Sequence, residues 1–447
     1  MVSLFFILTA LTAASSTLAA PVGQGTSGAL FFMTNDPSGN ELVVSSLGTD
    51  GKATFVTTVP TGGKGATGHG GGPDALFSQD SVLVAKGGMS GQQNLFVVNP
   101  GSNTVSAFAL NNRNPTSITQ IGKPVNSGGE FPVAIARSPS KHHQVCVLNG
   151  GAINGVSCFH MNHLVGLKPL ANSNRRLGLN QTTPATGPAG SVSDITFSED
   201  GKMLLVSVKG APPTPGFVAK WDVADDGSLS QNFTPLTASA GGLPFGMSLI
   251  PGKNALLATD PAVGASTFSL SLGAAIFNST SFDNSTLSFN NNTSCNNSTD
   301  ISSDISNNST TSGSVLTQAI PISGQGAVCW SARSQKTGSF FVTDILTSMV
   351  TEIAVDDNLQ GSIVKQYQQT NQSGTIDDAI GTIGGNDYLY VLATNTTSPQ
   401  IDILAVGDAP GQAQNIQTLD IGADLTKSNT KFTNINLQGM AVFVPGA

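Results

Sequence analysis

Apolar and polar residues alternate along this chain in short runs, and the runs come in pairs separated by Gly, Asn, Asp or Pro. The segment at residues 95–110, LFVVNPGSNTVSAFAL, carries the phrase most clearly. Two alternating runs flank an Asn/Gly turn, which predicts a β-hairpin with one buried face. The phrase recurs at residues 30–47, 145–161, 204–223, 256–270, 340–355 and 389–406, making seven copies. Before each later copy stands a leading apolar run, as in GGEFPVAIARSP from Gly128, SVSDITFSEDGKMLLV from Ser191 and GLPFGMSLIPGKNALL from Gly242. No window of a dozen residues keeps its apolar positions at helical spacing.

A period of roughly 60 residues with about four strands per copy predicts an all-β protein whose repeats are the blades of a seven-bladed β-propeller. One sheet cannot cover both of its faces, so each blade must pack on its neighbours around a central channel. The first copy lacks its leading strand, and the run LQGMAVFVPG from Leu437 has nothing after it. The C-terminal strand is therefore expected to pair with the first blade and close the ring, hiding two open sheet edges.

Two segments depart from the phrase. The apolar run at residues 4–11, followed by small residues up to Ala19 and Ala20, reads as a secretory signal at 1–19, leaving a propeller over 20–447. The run is too short to span a bilayer, and no other stretch is long enough to be a transmembrane segment. Residues 271–314 are rich in Ser, Thr and Asn and read as an irregular insertion extending from the fifth blade.

Composition supports export. Only 10% of residues are charged, against about 25% in an ordinary soluble domain. Asn-x-Ser/Thr acceptors at Asn180, Asn232, Asn278, Asn284, Asn291, Asn292, Asn296, Asn297, Asn307, Asn308, Asn371 and Asn395 suggest that surface glycans supply the solubility. A net charge of −8 with scattered basic residues argues against nucleic acid as a partner, and the pair Arg175-Arg176 reads as a solvated loop. Four cysteines suit an oxidising compartment. Cys146 and Cys158 are symmetric about the Gly/Asn turn of a hairpin, which puts their sulfurs on one face within bridging reach and leaves Cys295 for Cys329.

The phrase SVSDITFSEDGKMLLV resembles the repeat of the seven-bladed lactonase-like propellers, which include 3-carboxymuconate cyclase and bacterial-type 6-phosphogluconolactonase. The hairpin VCVLNGGAINGVSCF from Val145 resembles that of secreted fungal 3-carboxymuconate cyclase-like proteins, and the likeness runs through the whole mature chain. In the intracellular cyclase, the resemblance implies one His, two Arg and one Glu around the channel mouth. Those positions fall at Pro73, Val133, Gly150 and Lys209, with His69 four residues before Pro73, so only the charge at Lys209 is kept. A site that stabilises a carboxylate-bearing substrate needs cationic partners, and their loss counts against that chemistry.

The remaining candidates are weighed on their own residues. The run from Gly63 to Gly68 matches a dinucleotide-binding fingerprint in letters, but glycines and Pro73 follow where a helix should open, so no cofactor is expected. His142, His143, His160 and His163 flank the cysteine hairpin, with His142 and His160 on one face; two imidazoles lack the third ligand a metal site wants. Residues just before each leading strand should ring the channel mouth: Asp74, Glu130, Asp194, Gln325, Asp377 and Asp378. The expected function is that of a secreted or cell-wall-associated glycoprotein presenting an adhesion or binding surface to a cell-surface or extracellular ligand. The alternative is a lactonase or lactonising isomerase acting on a small lactone-like molecule in the channel, with Glu130, Asp194 and Lys209 as its catalytic groups.

Overall fold

The computed structural model describes residues 26–70, 72–85, 93–140, 144–270, 317–369, 374–394 and 397–446. The leader at 1–19, the stretch 271–314 with its eight acceptors and Cys295, and also His142, His143, Asn371 and Asn395, lie outside the described residues.

Seven antiparallel sheets form a ring of blades, and the chain is an all-β propeller. Each sheet carries four strands, in sequential order in six blades and with the chain's last strand beside its first in the other, and two sheets have one further short strand, at Val125–Asn126 and Arg175–Arg176. The leading strands pack side by side around the axis: Gln438–Phe443 lies between Thr375–Ile383 of the seventh blade and Val82–Ala85 of the second. Second strands such as Asn94–Asn99, Gln144–Asn149 and Met203–Val208 are buried along their whole length, because both faces meet another blade. The outer strands, such as Gly361–Gln368, are largely exposed and polar.

Closure is as the sequence implies. The last strand pairs antiparallel with Gly28–Met33, matching Ala29 to Phe443, Leu30 to Val442 and Phe31 to Ala441. The cysteine hairpin is also as expected: Cys146 faces Cys158 in register and the two form a disulfide. In that register Gln144 faces His160, whose ring is exposed. In the fifth blade, Gly264–Ser269 pairs with Thr317–Pro321, so residues 270–316 connect the third and fourth strands of one sheet.

Two details differ from the sequence reading or go beyond it, and a third bears it out. Arg175 is not a solvated loop residue. It is 6% exposed, and its guanidinium donates to the carbonyls of Ser230, Leu229, Asn172 and Asn174, because strand Arg175–Arg176 pairs with the third blade and turns this side chain inward. Arg176 is the exposed one. A helix, Ile421–Lys427, caps the seventh blade; Asp420 accepts from the Ala423 amide at its start, and Ile421 and Leu425 are buried. At two turns it is too short to show a helical period. The Gly63–Gly68 run opens no helix; it is a loop packed so closely on the first blade that a Cβ on Gly65 would meet the Asn35 backbone at 2.0 Å.

A side chain at the end of several second strands ties down the loop that leads into a blade. Asp260 accepts from the amides of Gly242 and Leu243, and Asp344 from those of Gly326 and Ala327. Asn35 exchanges hydrogen bonds with Ala66, and Asn149 donates to the Ser127 carbonyl. Short acceptors at strand ends suit such work, since they bond main-chain groups two or more residues away.

Candidate functional site at the propeller axis

The segment before the second blade's leading strand, residues 74–81, enters the channel. Asp74, Leu76, Phe77, Ser78 and Ser81 are at most 1% exposed. Phe77 and Asp80 take left-handed conformations, φ 58° and 61°, which bulky residues adopt only when their surroundings hold them. Those surroundings are other blades. Gln79 receives the Ser331 amide at 2.9 Å and donates to the Ser331 carbonyl at 3.2 Å, and the Trp330 indole donates to the Ser78 carbonyl at 2.9 Å. The Ser78 hydroxyl donates to the Val133 carbonyl at 3.0 Å, the Ile135 amide to the Asp80 carbonyl at 3.0 Å, and the Gln79 amide to the Ser193 carbonyl at 3.1 Å. One short segment thus bonds to the leading strands of the third, fourth and sixth blades.

Around this plug stand the charged groups. Lys209 is 2% exposed. Its ammonium donates to the Phe77 carbonyl at 2.8 Å, to the Val192 carbonyl at 3.2 Å and to the Ser193 hydroxyl, and lies 4.4 Å from the centre of the Phe245 ring. Asp194 accepts from the amides of Ile195 at 2.6 Å and Met247 at 2.7 Å, linking the fourth blade to the fifth. Asp377, φ 39°, accepts from the Gly439 amide at 2.6 Å, linking the seventh blade to the closing strand. Asp74 accepts from the Phe77 amide at 2.8 Å through one oxygen, while its other oxygen is buried without a protein donor among the described residues. Both carboxyl oxygens of Asp378 are buried without a protein donor among the described residues.

Burial dominates the electrostatics. It pushes Asp74 up to about 7 against the pull of Lys209 and the Phe77 amide, and Asp194 up to about 7 against the Met247 and Ile195 amides and then Lys209. Asp80 is raised well above the carboxylate range by burial and then by the charges of Asp194 and Asp377. Burial also raises Asp377, with Asp74, Asp378 and Asp194 adding to it, and Asp378, with Asp80 adding to it.

The residues expected at an open mouth therefore separate into two groups. Asp74, Asp194, Asp377, Asp378 and Lys209 meet in one buried cluster, which the half-buried Asp80, two residues before strand Val82–Ala85, joins. Glu130 does not join them. It is half-buried beside the third blade, where Thr183 donates to it and its own amide bonds the Ile153 carbonyl. Gln325 caps the sixth blade, donating to the Pro261 carbonyl and accepting from the Val328 amide. His69 lies on the loop before the plug, its amide bonded to the Ala185 carbonyl in a bridge between two loops. Among the described residues no three His, Cys, Asp or Glu side chains are grouped to hold a metal ion.

No family model matches the sequence, and no curated protein matches it. Solved structures do. A candidate 6-phosphogluconolactonase of Bacteroides uniformis superposes with a TM-score of 0.57 at 12% identity, covering 89% of this chain and 97% of the other. The periplasmic gluconolactonase PpgL of Pseudomonas aeruginosa gives 0.55 at 15% identity, covering 93% and 99%. A protein of unknown function from Desulfotomaculum acetoxidans gives 0.55 at 10% identity, covering 94% and 100%. The fold is shared with lactonase propellers. At such identities the likeness is one of fold, on which many unrelated functions are built. No helix among the described residues is long and apolar enough to cross a membrane.

Proposed function

We propose that this chain is a secreted, glycan-bearing propeller that acts through its outer loops as a binding surface, with its channel serving as a structural pin. The observation that carries this reading is the state of Asp194 and Lys209. Their polar atoms are taken up by the amides of Ile195 and Met247, the carbonyls of Phe77 and Val192 and the hydroxyl of Ser193, beside a plug bonded across the axis. A catalyst must present its groups to substrate, and these are turned to the fold. The disulfide Cys146–Cys158 and the exposed acceptors Asn180 and Asn232 support the secreted setting.

A second reading, a lactone hydrolase or muconate-lactonising isomerase, draws on the lactonase fold and on two carboxyls near 7 beside a lysine, a pairing suited to acid–base work. It requires the plug to withdraw. The two readings part in a simple assay of the purified mature protein with gluconolactone, 6-phosphogluconolactone and muconolactone at pH 7. The binding-surface reading expects no acceleration above buffer hydrolysis. Turnover in the wild type that falls at least about a hundredfold in Glu130→Gln or in a folded Lys209→Met variant would establish the enzyme.

A further inference from the structure

Five carboxyl groups and one ammonium converge at the axis. Asp74 and Asp80 come from the plug, Asp194 from the fourth blade, Asp377 and Asp378 from the seventh, and Lys209 from the end of strand Met203–Val208. Among the described residues, the groups that bond or pack on this cluster from the other elements are neutral: the Gly439 amide of the first blade, the Ile135 amide of the third, the Met247 amide and Phe245 ring of the fifth, and Trp330 and Ser331 of the sixth. Full ionisation would leave several uncompensated negative charges out of water, which no fold tolerates.

Hydrogen bonding points the same way. An ionised carboxylate needs donors. Among the described residues, Asp378, 5% exposed, has no protein donor on either oxygen, and Asp74, fully buried, has none on one of its two. The one donor such a group can bring with it is its own acid proton. Asp80 alone keeps part of its surface open, and through it the cluster can exchange protons with solvent.

We infer that the axial aspartates are carboxylic acids in the folded protein and form a proton-held lock, which fastens the plug and the fourth and seventh blades in acid and loosens them as the pH rises past neutrality. The sign follows from proton linkage. A carboxyl whose folded value lies above its ordinary 3.8 binds more protons folded than unfolded, so its contribution is fully present below 3.8 and is lost as pH rises through the folded value, which is about 7 for Asp74 and Asp194 and raised well above the carboxylate range for the other three. Unlike most proteins, whose carboxylates are stabilised as anions, this ring is tightest in mild acid.

The test is chemical denaturation of the intact mature protein from pH 4.5 to 8.5 at constant ionic strength, beside the variant Asp378→Asn. Asparagine keeps the shape of the protonated acid but has no proton to lose. For the wild type the folding constant should weaken around pH 6 by tenfold per pH unit for each carboxyl that is an acid folded and an anion unfolded, five at most, and so by roughly a hundredfold per unit or more. The variant should show a slope shallower by about one proton and should overtake the wild type at pH 8. A wild-type stability that is flat or rises over this range overturns the lock, as does a variant with the parent's slope. Should the variant fail to fold, infrared spectroscopy of the wild type decides alone: a protonated carboxylic C=O band at pH 6 that vanishes on unfolding supports the lock, and a fully ionised spectrum refutes it.

Discussion

The indole N–H of Trp330, on the sixth blade, donates to the carbonyl of Ser78, 252 positions away on the segment that enters the second. Neither residue belongs to the other's blade or to a neighbouring one, so this bond crosses the channel. Trp330→Phe keeps most of the ring's packing and leaves the Ser78 carbonyl buried without a donor, at a cost of about 1–3 kcal/mol. Trp221 is an internal control: it is equally buried, but its indole nitrogen has no partner among the described residues, so Trp221→Phe deletes no bond. Urea denaturation should show the first variant losing clearly more than the second.

Closure of the ring predicts a steep response to truncation. Deleting from Leu437 onward removes Leu437, Met440 and Phe443, all buried, and bares an edge of strand Gly28–Met33. At about 25 cal/mol per Å² the lost apolar area is worth several kcal/mol, on the scale of a whole domain's stability. The truncated protein should aggregate or fail export. Normal yield with an unchanged Tm would show that the last strand is dispensable.

The cysteine hairpin should behave as a modest staple. Its loop is short and its ladder already pairs Gln144–Asn149 with Gly155–Asn162, so replacing Cys146 and Cys158 by Ser should cost on the order of 2 kcal/mol. Non-reduced peptide mapping should find these two joined to each other, and it also tests the expected link between Cys295 and Cys329. Cys146 joined to Cys329 would contradict the register.

Arg175 and Arg176 offer a sharper contrast. Arg175→Lys keeps the charge but cannot reach the four carbonyls that the guanidinium fork gathers, and should cost about 2–3 kcal/mol. Arg176→Lys, on the exposed neighbour, should be neutral by thermal denaturation. Equal effects would return the pair to the status of a surface loop.

The blades were legible because strand alternation and turn residues are local signals. The run 95–110 became strands Asn94–Asn99 and Thr104–Leu110 with an Asn/Gly turn between them, and the unpaired phrase from Leu437 became the closing strand. The cysteine register followed from symmetry about one turn. The axis was only half legible. Asp74, Asp194, Asp377, Asp378 and Lys209 could be placed near the channel by their position before or after a strand, but nothing local says that residues 74–81 fold inward to seal it. That depends on Trp330, Gln79 and Ser331 meeting across the ring, a contact with no sequence periodicity. Arg175 was misjudged for the same reason: a two-residue strand is set by its partner, not by its own pattern.

The most direct test of a sealed axis is amide hydrogen exchange, residue by residue, in the native protein at pH 6. The amides of Ile195, Met247 and Gly439 each donate to a buried axial carboxyl, and that of Gln79 to the Ser193 carbonyl. If the axis is a pin, these four should exchange with the slowest core strands, roughly a thousandfold or more below the exposed turn residues Asp225 and Asp226. Exchange of Gln79 and Met247 at the rate of that turn would mean that the plug withdraws under native conditions, and the channel would then be an accessible site rather than a structural one.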